Sequence, residues 1–149
     1  MSKLRTLTIG LALVMVATIS GPLARADSWN QETRITFSEP MEIPGHVLPA
    51  GSYCFVLASD DADRSMVRIF SADKRLLYAT VLTVPSHREE ARRASSLTLA
   101  ERPSGKPEAI LVWFYEGEQT GHQFIYPVHE RKEIAHDMRQ LAATRAAGN

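Results

Sequence analysis

PMEIPGHVLPAGSYCFVL, residues 40–57, places two turn signals among alternating apolar residues. Pro44-Gly45 and Pro49 to Gly51 each mark a reversal, because proline fixes φ and glycine tolerates positive φ. Tyr53, Phe55 and Leu57 alternate with Cys54, Val56 and Ala58. That period of two, in aromatic and β-branched residues, predicts a strand buried on at least one face. Leu48-Pro49-Ala50-Gly51 lacks the threonine and the hydrophobic tail of a sortase signal and is read as a turn. The stretch is therefore strand, turn, strand, with Gly51 expected at positive φ.

The same grammar extends in both directions. Upstream, Ile35 and Phe37 alternate within Thr33 to Ser38, while Met41 to Ile43 and Val47-Leu48 are short pieces suited to sheet edges, where proline is tolerated. Downstream, Ser59 to Ser65 is a polar hairpin loop before a strand at Met66 to Phe70. Leu76 to Val84 is the longest near-continuous apolar run of the mature chain, predicted as a central strand covered on both faces and ended by Pro85. Ser86 to Ser96 mixes Arg88, Arg92 and Arg93 with Glu89 and Glu90 and reads as a solvated loop or single helical turn. Leu97 to Leu99, Ala109 to Tyr115 and Gln123 to Tyr126 complete the strands, the first two separated by the turn RPSGKPE at 102–108.

From His129 to about Ala147 the period changes. Ile134, Met138 and Leu141 fall at i, i+4 and i+7, Glu130 and Glu133 occupy the first turn, Arg139 and Arg145 lie toward the end, and Gly148 follows. These are the stripe, dipole-favourable charges and stop of a helix that packs lightly, since its apolar stripe is narrow.

The N-terminus has the three-part layout of a secretory signal peptide: Lys3 and Arg5, an apolar run from Leu7 to Ile19, and Ala24-Arg25-Ala26 as a small-x-small cleavage site. The run is too short for a membrane span, which needs roughly 20 apolar residues. No cysteine follows the cleavage site, which argues against a lipoprotein, and no twin-arginine pair precedes it. Cleavage leaves 123 of 149 residues, one domain's worth. Three of the 17 basic residues and none of the 17 acids lie in the leader, so the mature chain carries a net charge of −3 with histidines neutral. A nucleic-acid binder would show a concentrated basic patch instead. Cys54 is the single cysteine, which excludes an intrachain disulfide, and its place within an apolar strand predicts an inert buried thiol.

Several residue groups are candidate sites. His129, Glu133 and His136 share one helical face, but order and spacing differ from the helical zinc pattern, and a solvated polar face is the expectation. Asp61-x-Asp63 shares the start of a calcium loop without its glycine and distal glutamate, and Gly105-Lys106 lacks the rest of a phosphate-binding loop. No serine sits in a G-x-S-x-G elbow, so hydrolysis has no motif behind it. The strongest ligand-binding candidates are Trp113, Tyr115, Phe124 and Tyr126, neighbours if the last two strands form a hairpin. Such rings stack on sugars or anchor a protein partner, or else fill the core.

The mature chain resembles a group of uncharacterised exported bacterial proteins of the acidobacterial kind. The resemblance rests on Trp29-Asn30, Thr33, Phe37, Pro40, Ile43-Pro44-Gly45, Leu48 to Gly51, Tyr53, Phe55, Leu57, Ile69-Phe70, Tyr78-Ala79-Thr80, Glu101-Arg102-Pro103, Trp113-Phe114-Tyr115 and Phe124 to Pro127. It implies a small β-domain and carries over no catalytic residue.

The sequence thus predicts a signal peptide at 1–26, an antiparallel β-sandwich or open barrel of seven or eight short strands at 27–128, and a C-terminal amphipathic helix at 129–147. The expected function is a non-enzymatic binding or interaction module, exported to periplasm or medium. No cofactor, metal, nucleic-acid partner or membrane span after cleavage is expected, and the partner is an envelope protein or glycan. A secreted or periplasmic hydrolase and a self-assembling structural envelope protein are the alternatives.

Overall fold

The computed structural model describes residues 31–58 and 66–148. The leader and the Asp61-x-Asp63 loop therefore lie outside the described residues. Ile43 and His46 pair directly across Pro44-Gly45, with Gly45 at φ 76°, so the first turn of the quoted stretch is a two-residue hairpin joining β2 (Met41–Ile43) to β3 (His46–Leu48). Gly51 is also at positive φ, 158°, as expected, a conformation that residues with a Cβ rarely adopt, although a Cβ there would meet the Tyr53 ring at an ordinary 3.7 Å.

Beyond the hairpin, β4 (Gly51–Leu57) pairs antiparallel with β1 (Glu32–Phe37) on one side and β5 (Met66–Ser71) on the other. The chain continues through β6 (Leu77–His87), β7 (Ser96–Ala100), β8 (Glu108–Phe114) and β9 (Thr120–Phe124) to α1 (Val128–Ala147). Nine strands form one open sheet in the order β1-β4-β5-β6-β9-β8-β2-β3, with β7 added on β8. All pairings are antiparallel except β2 with β8. The described residues are thus mostly β with a single C-terminal helix, and no helix among them is long and apolar enough to cross a membrane.

Strand β6 departs from expectation twice. It runs through Pro85 to His87, and it is not covered on both faces, because Leu82 is 56% and Val84 44% exposed. Its first half pairs with β5 and its second half, Thr83 to His87, with β9. Proline fits in that second half because only one hydrogen-bond ladder is formed there among the described residues. β9 likewise begins at Thr120, three residues before the strand expected from Gln123.

The core joins rings across strands that are not hydrogen-bonded neighbours as well as within the paired strands β1 and β4. Phe55 of β4, fully buried, meets Trp113 of β8 edge-on at 6.1 Å, stacks on Phe124 of β9 at 6.4 Å, and touches Phe37 of β1 at 6.4 Å. Such aromatic pairs add about 1 kcal/mol each beyond their buried area.

The helix is held by charge as much as by its narrow stripe. Ile134 joins the core, yet Met138 is substantially exposed and Asp137 is buried. Arg102, its side chain 3% exposed, donates from Nε to Asp137 Oδ2 at 2.7 Å, from Nη2 to Glu133 at 3.0 Å, and from Nη1 to Glu42 of β2. Lys106 adds bonds to Glu133 at 2.8 Å and Asp137 at 3.0 Å. Glu130 accepts from the Gly45 backbone N–H at 3.1 Å, and Tyr126, leading into α1, donates its hydroxyl to the carbonyls of Glu42 and Ile110 at 2.9 Å. Burial pushes the Tyr126 phenol far up, so it remains a donor. Burial also raises Glu42, outweighing Arg102 beside it. Burial works against ionised Asp137 too, but hydrogen bonds from Lys106 and Arg102 outweigh it and hold this carboxyl below its ordinary 3.8.

Two outcomes follow. Gly45→Ala meets no atom within 4 Å, so its cost is backbone alone, about 1–2 kcal/mol in urea denaturation. Asp137→Asn removes charged hydrogen bonds and lowers stability at pH 7 by about 2 kcal/mol. A depressed folded-state pKa contributes stability above the unfolded value and loses it as pH falls through the folded one. Parallel acid titrations should therefore show the wild-type advantage over Asp137→Asn complete at neutral pH and vanishing below the ordinary aspartate value of 3.8.

Candidate functional site

Period-two alternation fixes which side chains face the interior at one end of the strands. Pro85 stands opposite His122, and His122 opposite Trp113, so one row runs from β6 through β9 to β8 on the face that meets Phe55. The start of β1 and the finish of β4 reach the same end, since these strands pair antiparallel from Glu32 with Val56. There Gln31, Leu57, Pro85, Glu118, Thr120 and His122 line a cavity of about 380 Å³. Ligand cavities span about 300–1,000 Å³.

His122 and Gln31 are both buried at this cavity, with His122 Nε2 3.3 Å from Gln31 Oε1. The imidazole also packs against the Trp113 ring, centroids 5.5 Å apart. Two further polar atoms of this region, Trp113 Nε1 and Thr83 Oγ1, are buried without a hydrogen-bond partner among the described residues. At the rim, Thr120 Oγ1 lies 3.2 Å from His87 Nδ1 in an exposed position. A carboxamide beside an imidazole supplies a directional donor and acceptor, which orients a polar ligand.

The four aromatic candidates land elsewhere than on a surface. Trp113 is fully buried, Phe124 and Tyr126 are buried, and only Tyr115 is half-exposed. Tyr115 meets Trp113 edge-on at 6.5 Å, but Trp113 pairs with His122, not Phe124, because β9 sits three residues earlier than the apolar pattern suggests. Three of these rings therefore fill the core, and a ligand cannot stack on them from outside.

The helical trio is dispersed by its own ion pairs. Glu133 is taken by Arg102 and Lys106, while His129 and His136 are largely exposed, the latter 3.6 Å from Asp137. Among the described residues no group of three or more His, Cys, Asp or Glu is arranged to hold a metal. Cys54 is fully buried and its Sγ donates to Glu32 at 3.1 Å; burial and that carboxylate push the thiol up to about 11, which keeps it unreactive. Sequence reasoning missed the His122–Gln31 pair, since two polar residues 91 positions apart leave no periodic signal.

No protein-family model matches the chain, nor does any curated protein or solved structure.

Burial of Trp113 has a direct optical readout. In a Trp29→Phe variant, leaving Trp113 alone, emission should be blue-shifted and acrylamide quenching slight; red-shifted, readily quenched emission would contradict the placement.

Proposed function

We propose that the protein is an exported, non-enzymatic binding module that takes a small polar ligand in the cavity at the end of its strands. The buried His122–Gln31 pair lining that cavity carries the reading. Folding buries polar side chains at a cost unless they are hydrogen-bonded, and the Gln31 carboxamide beside the void has more donors and acceptors than its bond to His122 uses. The imidazole of His122 is capable of acid–base chemistry, but its Nε2 faces the Gln31 carboxamide, which is no nucleophile, and this favours binding over hydrolysis. Export rests on the leader layout at 1–26.

In this reading the strands form an open barrel. The long β6 joins β5 to β9, and at the far ends of the sheet Thr33 of β1 and Ser95 just before β7 are linked by a side-chain hydrogen bond of 2.9 Å. Cavities at barrel mouths are common ligand sites.

An NMR screen of small amide- and hydroxyl-bearing fragments against the isotope-labelled protein tests the site. Binders should perturb the amides of Gln31 and His122 and lose about tenfold in affinity in Gln31→Leu, the worth of one hydrogen bond. Fragments that bind equally well to Gln31→Leu would refute the assignment. Mass spectrometry of the protein recovered from an expressing bacterium's envelope should show a chain beginning at Asp27; an intact N-terminus would argue against export.

A further inference from the structure

The opposite face of the same strands carries a second cavity. Ser86 of β6 is opposite Gly121 of β9, and Ser96 of β7 is opposite Phe114 of β8. Gly121 and Phe114 adjoin in this row, and the missing side chain lets the Phe114 ring lie over the glycine, where a Cβ would stand only 2.5 Å from Cδ1. The ring is roofed in turn by the Arg88 guanidinium, 4.5 Å from its centroid. Arg88, Arg92, Ser96, Thr98, Val112 and Phe114 line the resulting cavity of about 330 Å³.

Its electrostatics are one-sided. Half-buried Arg88 donates to the Glu118 carbonyl from Nε at 3.0 Å and Nη2 at 2.7 Å, to the Tyr115 carbonyl at 3.5 Å, and from Nη1 to Ser96 Oγ at 3.1 Å. Every one of these acceptors is neutral. Arg92 is exposed at the cavity, and among the described residues neither arginine takes part in an ion pair. His87 also borders the space, and no acid lines it. Partly buried cations are ordinarily paired, because desolvation of an uncompensated charge is costly.

We propose that this cavity binds a small organic oxyanion carrying an apolar group. The anionic head meets Arg92, the remaining Nη1 hydrogen of Arg88 and the hydroxyls of Ser96 and Thr98, while the apolar part lies on Val112 and Phe114. Arg88 is clasped by backbone carbonyls and so is fixed in advance, which lowers the entropic cost of binding. Arg92 supplies the adjustable charge. The site is separate from the His122 cavity and stands whether or not that cavity is occupied.

Titration of the isotope-labelled protein with sodium phenyl phosphate, sodium benzoate, inorganic phosphate and neutral benzyl alcohol, followed by amide NMR, tests the proposal. At least one aromatic anion should give saturable shifts at Ser96, Thr98 and Phe114, and its comparison with the other tells phosphate from carboxylate preference. Inorganic phosphate should bind more weakly and benzyl alcohol not at all. Arg92→Glu, an exposed change expected to leave the melting temperature unaltered, should weaken the anion about tenfold or more. Equal binding of benzyl alcohol, unchanged affinity in Arg92→Glu, or no saturable shift with either aromatic anion would overturn it.

Discussion

The packing of Phe55 against Trp113 and Phe124 is the contact on which the remaining architecture depends. These rings come from β4, β8 and β9, and among the described residues β4 is not directly hydrogen-bonded to either of the others. Hydrogen bonding alone would leave a long twisted ribbon. Burial of the three rings brings β4 against β8 and β9, and Val67, Ile69 and Val81 join the same core. Because side chains alternate, facing Phe55 inward also decides that His122 points in and Phe114 points out. Both cavities are by-products of that single choice.

The second constraint is ionic. An all-β core of this size has little apolar surface left for a helix, and α1 contributes Ile134 but not a wide stripe. Arg102 and Lys106 compensate by reaching from the β7–β8 turn to Asp137 and Glu133, with Glu42 completing the shell around the guanidinium. A buried charge cluster is weakly stabilising at best against an apolar equivalent, but it is directional. It fixes where along the sheet the helix sits, a task that a few methyl groups perform poorly.

The repeating turns and the period-two pattern made most strands legible, along with the change of period at His129. What the pattern could not convey was pairing. Leu76 to Val84 looked like a doubly covered central strand because its residues are apolar, yet Leu82 and Val84 stand in solvent, since burial depends on which neighbour arrives and not on the strand's own composition. The aromatic quartet looked like a surface for the same reason: Trp113 and Phe124 are core residues only because Phe55, far away in sequence, packs on them. Acids at 130, 133 and 137 on one helical face, with Arg102 and Lys106 in a nearby turn, did carry a readable hint of the clamp. Gly121 carried none, because its role is defined by the ring of a neighbouring strand.

Strand β6 serves as a common ruler for the two halves of the sheet, since its first half sets the register of β5 and its second half that of β9. Substitutions at its outward positions meet few neighbours and leave that measure intact. A one-residue insertion or deletion between Leu82 and Thr83 is another matter, for it would rotate Thr83 out of the interior and slide His122 against its partners. The strand therefore tolerates changes of spelling far better than changes of length, and lineages carrying this fold should vary β6 in composition while conserving its count.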